Sequence, residues 1–179
     1  ISRAISFKAE RRFSERCEIS VIQYQLQTER AQFVAALAAR YCQLANKPNR
    51  TTRIALMLAN YPTKDGRIGN GVGLDTPAST INILRALQQS DYPVSDIPAD
   101  GDALLTELLR AVTNNPASLH YLPCWQSLDI EAYRQYFSQL PEVSQCAVWE
   151  RWGSPEQDPK YREGRLMLAG IRLGETFVG

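Results

Sequence analysis

Histidine is nearly absent: His120 is the only one in 179 residues. A zinc site is therefore not expected. Cysteine is sparse too. Cys17, Cys42, Cys124 and Cys146 include no C-x-x-C spacing. Reduced, mostly buried thiols in a cytoplasmic protein are the expected state. Neither sign of charge is in excess, with 20 basic and 19 acidic side chains. That balance leaves no footprint for nucleic acid or an anionic membrane. Arg11, Arg12 and Arg16 cluster near the start, but Glu10, Glu15 and Glu18 lie among them, as on a solvated face. No apolar run approaches the roughly 20 residues of a membrane span, and no secretory pattern opens the chain. A G-x-x-x-x-G-K-[ST] phosphate loop and a G-x-S-x-G elbow are both missing.

What is present is an ordinary globular composition, 44% apolar and 22% charged. Residues 1–27 are poorly defined, with one short strand expected around Ile19 to Leu26. Residues 28–179 read as one α/β piece. "TERAQFVAALAARYCQLANK" predicts a helix capped by Thr28, with Phe33, Leu37, Tyr41 and Leu44 along one face. Pro48 stops it by Lys47. Ile54 to Ala59 is a continuous apolar run, the pattern of a strand buried on both faces. A glycine-rich loop follows to Asp75. "TPASTINILRALQQSDY" then predicts a helix capped by Thr76, with Pro77 at its first position and Ile81, Leu84 and Leu87 facing inward, Ile83 beside them.

Asp100 caps the next expected helix, "DGDALLTELLRAVTNN", on Leu104, Leu105, Leu108, Leu109 and Val112. Asp129 caps a further one, and "PEVSQCAVWERWG" makes a short last helix between Pro141 and Gly153. "GSPEQDPKYREG" reads as a polar loop. Two closing strands, about Arg165 to Gly170 and Glu175 to Val178, form a β-hairpin through Leu173-Gly174. The fold class is α/β: a partial sheet, with one buried strand before the glycine loop and a C-terminal hairpin, flanked by amphipathic helices. The chain starts without Met and ends on strands that need a further partner, so a slice of a longer protein is expected.

"GRIGNGVGLDTPAS" places four glycines between Gly66 and Gly73, directly before a helix start. Strand, glycine loop and helix N-terminus together suggest a phosphate site. The spacing is not G-x-G-x-x-G, however, and Asp75 stands where a phosphate would sit. A carboxylate there repels phosphate and satisfies the free N–H groups itself. Two readings stay open, a self-capped turn and an anion site. Other chemistry is thin. His120 is a packed or surface residue, or else a lone base. Tyr121, Trp125, Tyr133, Tyr136 and Phe137 read as core, and Trp149 and Trp152 as helix packing. Glu107, Glu131 and Glu150 have no paired spacing.

The motifs Asn60-Tyr61-Pro62, Arg67-Ile68-Gly69-Asn70 and Gly73-Leu74-Asp75-Thr76-Pro77-Ala78-Ser79 keep their order along the chain. With Arg151-Trp152-Gly153 and "GRLMLAGIRLGETFVG" they resemble the family that joins the large CobN subunit of aerobic cobaltochelatase with the H subunit of magnesium chelatase. "GLDTPAS" follows the cobalt branch, where the magnesium branch has a pattern like "AAYLDVFGS". Pro62-Thr63 replaces the frequent Pro-Pro, and Ala59 stands where a histidine is frequent, so no metal ligand is assigned to that turn.

The resemblance implies an internal fragment of a tetrapyrrole-binding subunit that inserts Co2+ into a corrin precursor of the hydrogenobyrinic acid a,c-diamide type, in cobalamin biosynthesis. It implies partner AAA+ ATPase subunits that use ATP and Mg2+, with no cofactor held by the fragment and no turnover by it alone. Under that reading Arg67 pairs with a substrate carboxylate or amide edge. Asn60, Tyr61, Asn70 and Ser79 lie at the substrate wall, and Asp75 holds the loop or accepts a pyrrole proton. The alternatives are a non-catalytic module that docks the ATPase subunits of a magnesium-chelatase-like protein, and an unrelated nucleotide-binding α/β domain.

Overall fold

The computed structural model describes residues 3–59, 68–71 and 73–179. The chain divides into two compact units, Ile1–Pro48 and Asn49–Gly179.

The first unit is a β-hairpin and a helix. Strand β1 (Ser6–Ser14) pairs antiparallel with β2 (Ile19–Leu26), and the register slips at a bulge between Lys8 and Arg11. β2 was expected; β1 was not, because its four charged side chains mask the alternation. Helix α1 (Thr28–Ala45) ends before Pro48 as the proline requires. Its cap position is Gln27 rather than Thr28, and no side chain caps it. Neither β2 nor α1 buries a residue. Arg3 lies over the Phe33 ring at 4.4 Å and Arg30 over Phe7 at 5.0 Å, so charge as well as apolar contact holds this unit together.

The second unit carries the core. β3 (Ile54–Leu56) pairs parallel with β10 (Thr176–Val178), which pairs antiparallel with β9 (Ile171–Leu173). The order β3-β10-β9 makes β3 an edge strand. The apolar run does become a strand, but a short one, half-buried at Ile54 and Leu56 and exposed at Ala55. Among the described residues β10 is its one neighbour in the sheet, so it stands at an edge and not inside. The ladder is extended by Leu58 N–H donating to Gly179 O at 2.6 Å.

Helices α2 (Thr76–Gln89) and α3 (Gly101–Arg110) cover this sheet. Ile81 and Leu84 of α2 and Leu104 and Leu108 of α3 pack with Val94, Ala111, Ile171, Leu173 and Val178 in one cluster. Leu87 is half-buried against it, while Ile83 and Leu109 turn outward. α3 stops at Arg110, earlier than its apolar period suggests. Val112 has left the helix and donates its N–H to Pro123 O at 3.0 Å.

A second sheet, absent from the sequence expectation, joins β6 (Gln126–Asp129), β8 (Arg165–Leu168) and β7 (Tyr161–Arg162) in the order β6-β8-β7. The expected strand from Arg165 to Gly170 therefore belongs here. The C-terminal hairpin is instead β9 with β10, turning at Gly174 (φ +66°). β7 lies inside the stretch read as a polar loop. It turns into β8 through Glu163 and Gly164, both at positive φ, as a two-residue hairpin turn requires.

α4 (Ile130–Phe137) and α5 (Glu142–Trp152) follow β6. Asp129 caps α4 by accepting from the Glu131 and Ala132 N–H groups, and Gly153 ends α5 at φ +72°. Tyr133 and Phe137 stack at 5.6 Å and are half-buried. Tyr121, Trp125, Tyr136, Trp149 and Trp152 are exposed, against the expectation of core packing. The free thiols differ likewise: Cys17, Cys42 and Cys146 are exposed and Cys124 is half-buried. His120 is exposed.

Candidate functional site

The glycine loop meets its helix through a small antiparallel bridge. β4 (Asn70–Gly71) pairs with β5 (Leu74–Asp75), so Asn70 lies opposite Asp75. Gly73 turns the chain at φ +72°, a conformation open to glycine at no steric cost. Gly71 is needed for space instead, since a Cβ there would come within 2.9 Å of Thr76 Oγ1.

Asp75 is the N-cap of α2. Its Oδ1 accepts the Ala78 N–H at 3.0 Å. The cap thus falls one residue before the expected Thr76, which is the first helical residue and is followed by Pro77. At the neighbouring helix, Asp100 Oδ1 accepts the Ala103 N–H at 2.9 Å, as expected.

The two N-termini touch. A Cβ on Gly101 would lie 2.9 Å from Pro77 Cβ and 3.0 Å from the Ala78 nitrogen. Two positive helix ends brought this close repel, and a carboxylate on each offsets that repulsion. The structure therefore supports the self-capped reading of this turn.

One consequence is measurable. Asp75→Ala leaves the Ala78 N–H unpaired and the N-terminal end of α2 uncompensated. We expect a loss of about 1 kcal/mol in local stability, read as faster hydrogen exchange in α2. Unchanged exchange would mean that the cap contributes nothing.

Of the other residues proposed from sequence, Ser79 lies in the first turn of α2 and is half-buried. Asn70 is exposed and is brought to Asp75. Asn60, Tyr61 and Arg67 lie outside the described residues.

Beside this turn is a cleft of about 60 Å³ that sequence reasoning missed. It opens at the carboxyl ends of the parallel pair β3 and β10, where open α/β sheets bind ligands. Leu58, Ile68, Leu108 and Val112 supply apolar walls, and Gly170 and Gly179 supply bare backbone. Segments around residues 58, 68, 108–114, 169–170 and 179 build it. Among the described residues no cluster of three or more His, Cys, Asp or Glu side chains is placed to hold a metal ion. No described helix is long and apolar enough to cross a membrane.

Away from the cleft, Arg134 bridges Glu131 and Glu156 on the surface. The Glu156 carboxyl is held below its ordinary range, first by its own backbone N–H, then with help from Ser154 and Arg134. Arg134 is raised, chiefly by Glu131.

Known proteins agree with this architecture. The family model described as CobN/Magnesium Chelatase matches residues 1–179. The aerobic cobaltochelatase subunit CobN of Pseudomonas aeruginosa is 54% identical over the whole chain, and that of a Sinorhizobium species 38%. The chain spans 14% of the length of each. The solved catalytic subunit of cobaltochelatase from Mycobacterium tuberculosis superposes on 97% of the chain with a TM-score of 0.72 and 30% identity, again over 14% of that protein. With the family model covering every residue and the solved fold superposing on nearly all of them, the chain belongs to the CobN/magnesium chelatase family.

Proposed function

We propose that this chain is a segment of the tetrapyrrole-binding large subunit of an ATP-dependent cobaltochelatase. Its substrates are Co2+ and a corrin precursor of the hydrogenobyrinic acid a,c-diamide type. The observation that carries this reading is the 54% identity to a cobaltochelatase subunit along the whole chain. The geometry agrees. A helix terminus already occupied by Asp75 and abutting that of α3 is a poor seat for nucleotide phosphate. ATP and its Mg2+ are then handled by separate AAA+ subunits in the cytoplasm.

Metal insertion requires a base for two pyrrole protons and donors for the carboxylate rim of the macrocycle. Asp75 is exposed, and its cap engages Oδ1. We assign it the proton-accepting role, with Asn70 opposite it as a hydrogen-bonding neighbour. Asn60, Tyr61, Arg67 and Ser79 complete the substrate wall, and Arg67 pairs with a carboxylate.

Arg67→Ala in the full-length subunit should weaken tetrapyrrole affinity about tenfold, the effect of one lost charge-assisted hydrogen bond. Fluorescence quenching measures it, and an unchanged affinity removes Arg67 from the site. The assembled complex, supplied with ATP and Co2+, should form the cobalt product, whereas this chain alone should not.

A second reading is favoured by one specific feature. α1 buries no residue, and Phe33, Tyr41 and Leu44 on it are exposed. Such a face suits a docking module for the ATPase subunits. Capture of those subunits by a protein that binds no tetrapyrrole would support docking over substrate binding. A shift in melting temperature with ATP or NAD would instead point to a nucleotide site.

A further inference from the structure

The motif Arg151-Trp152-Gly153 has no part in the site described above, and Trp152 is exposed where core packing was expected. Trp152 lines a groove of about 260 Å³ on the second unit. Tyr133 of α4, Val148 of α5, Pro155, Asp158 and Leu166 of β8 line it too. That volume falls below the roughly 300–1,000 Å³ of sites for whole small molecules, and it suits one long side chain. The walls are held by their own neighbours. Tyr133 stacks on Phe137, Arg134 of α4 bridges to Glu156 next to Pro155, and the Ser154 N–H donates to Gln157 Oε1 at 3.2 Å.

Asp158 is the one lining side chain that is charged at neutral pH. Its Oδ1 accepts the Lys160 backbone N–H at 2.8 Å, and among the described residues it forms no ion pair. The neighbouring cations are engaged elsewhere. Arg134 is held by Glu131 and Glu156, the Lys160 ammonium by Asn114 Oδ1, and Arg162 by Leu122 O and the Met167 sulfur. Arg151 does not line the groove, but it lies over the Trp152 ring at 5.1 Å, so this indole already attracts a guanidinium. Two electron-rich rings and a carboxylate without a cation make a set that selects positive charge. A guanidinium fits it better than an ammonium, because it is planar, stacks on aromatic rings and forks onto a carboxylate.

We propose that this groove seats an arginine side chain from a part of the same subunit outside residues 1–179. The stem lies against Val148, Pro155 and Leu166, and the guanidinium sits by Tyr133 and Trp152 and pairs with Asp158. Charge complementarity selects the side chain, and the length of the relatives selects its source. The chain spans 14% of each cobaltochelatase subunit that it matches, so most of such a subunit is available to close over this face. The inference rests on the reading of this chain as a segment of that large subunit and on nothing about the tetrapyrrole. Trp152 and Asp158 are binding residues in this account and take no part in metal insertion.

The test uses the full-length subunit carrying Trp152→p-benzoylphenylalanine, a photo-crosslinking side chain placed at a position that is 66% exposed. Circular dichroism confirms that each variant is folded. Irradiation should give an adduct at the mass of one subunit, and mass spectrometry should place it beside an arginine outside residues 1–179. Asp158→Arg should abolish the adduct, and so should changing that arginine to aspartate. The two changes together should restore it. No adduct, an adduct remote from any arginine, an adduct only with a second copy or another subunit, or an adduct indifferent to the charge reversal would each overturn the proposal. None of these outcomes bears on tetrapyrrole affinity, which the Arg67 substitution measures separately.

Discussion

Gly170→Ala should unfold the sheet end of the second unit. Gly170 sits at φ +142°, a region that residues with a side chain rarely adopt. A Cβ built there would lie 2.4 Å from Val178 O, 2.6 Å from Phe177 Cζ and 2.8 Å from Gly179 Cα. Two of those three atoms belong to backbone, so no rotamer change relieves the clash. Relief requires moving β10, which is held between β3 and β9. Strain and overpacking act together, and we expect a cost of about 3 kcal/mol or more. Hydrogen exchange over residues 171–178 in the full-length protein should rise about a hundredfold or more. Gly164→Ala is the control. Its φ is +78°, but nothing lies within 4 Å of the added carbon, so only about 1 kcal/mol of backbone strain is at stake. Equal effects from the two substitutions would show that steric crowding at Gly170 is not the cause.

Leu84→Ala is the second large effect. Leu84 is completely buried and lies in the cluster that joins α2 to α3 and to the β9–β10 hairpin. Cutting its isobutyl side chain back to a methyl leaves a void within that packed cluster. The cost should be about 3 kcal/mol, within the range for buried leucines. Ile83, next in sequence, is 47% exposed and should cost less than about 0.5 kcal/mol when cut to alanine. The contrast checks the helix phase directly. Comparable losses at both positions would mean that α2 does not present Leu84 to the core.

The parts of this fold that were legible in the sequence are those fixed by local chemistry. Asp100 and Asp129 announce helix starts because a short carboxylate can reach only its own chain's free N–H groups. Gly153 announces an end because its φ suits no other residue well. Pro48 fixes where α1 stops. Asp75, read from sequence as both cap and candidate base, does cap α2 through Oδ1.

What was not legible depended on distant partners. Whether Ile54 to Leu56 is an inner or an edge strand is decided by which neighbours the sheet holds, and its apolar run does not encode them. β7 is two residues long, too short for any period to register. The exposure of Trp149 and Trp152 likewise reflects what packs on α5, not what α5 contains. The cleft draws on segments around residues 58, 68, 108–114, 170 and 179 and has no linear signature.

The pairing of Thr176 with Ile54 sets a timetable for biosynthesis. A ribosome adding about 5–20 residues per second must work for roughly ten seconds after Ile54 emerges before its strand partner exists. Throughout that interval the apolar edge at Ile54 and Leu56 is without its ladder, and α2 and α3 have no sheet to settle on. The hairpin of β1 and β2, closed by neighbours in sequence, is complete long before. Nascent chains stalled near residue 150 should therefore hold a formed amino-terminal hairpin beside a second unit still open to chaperones and proteases.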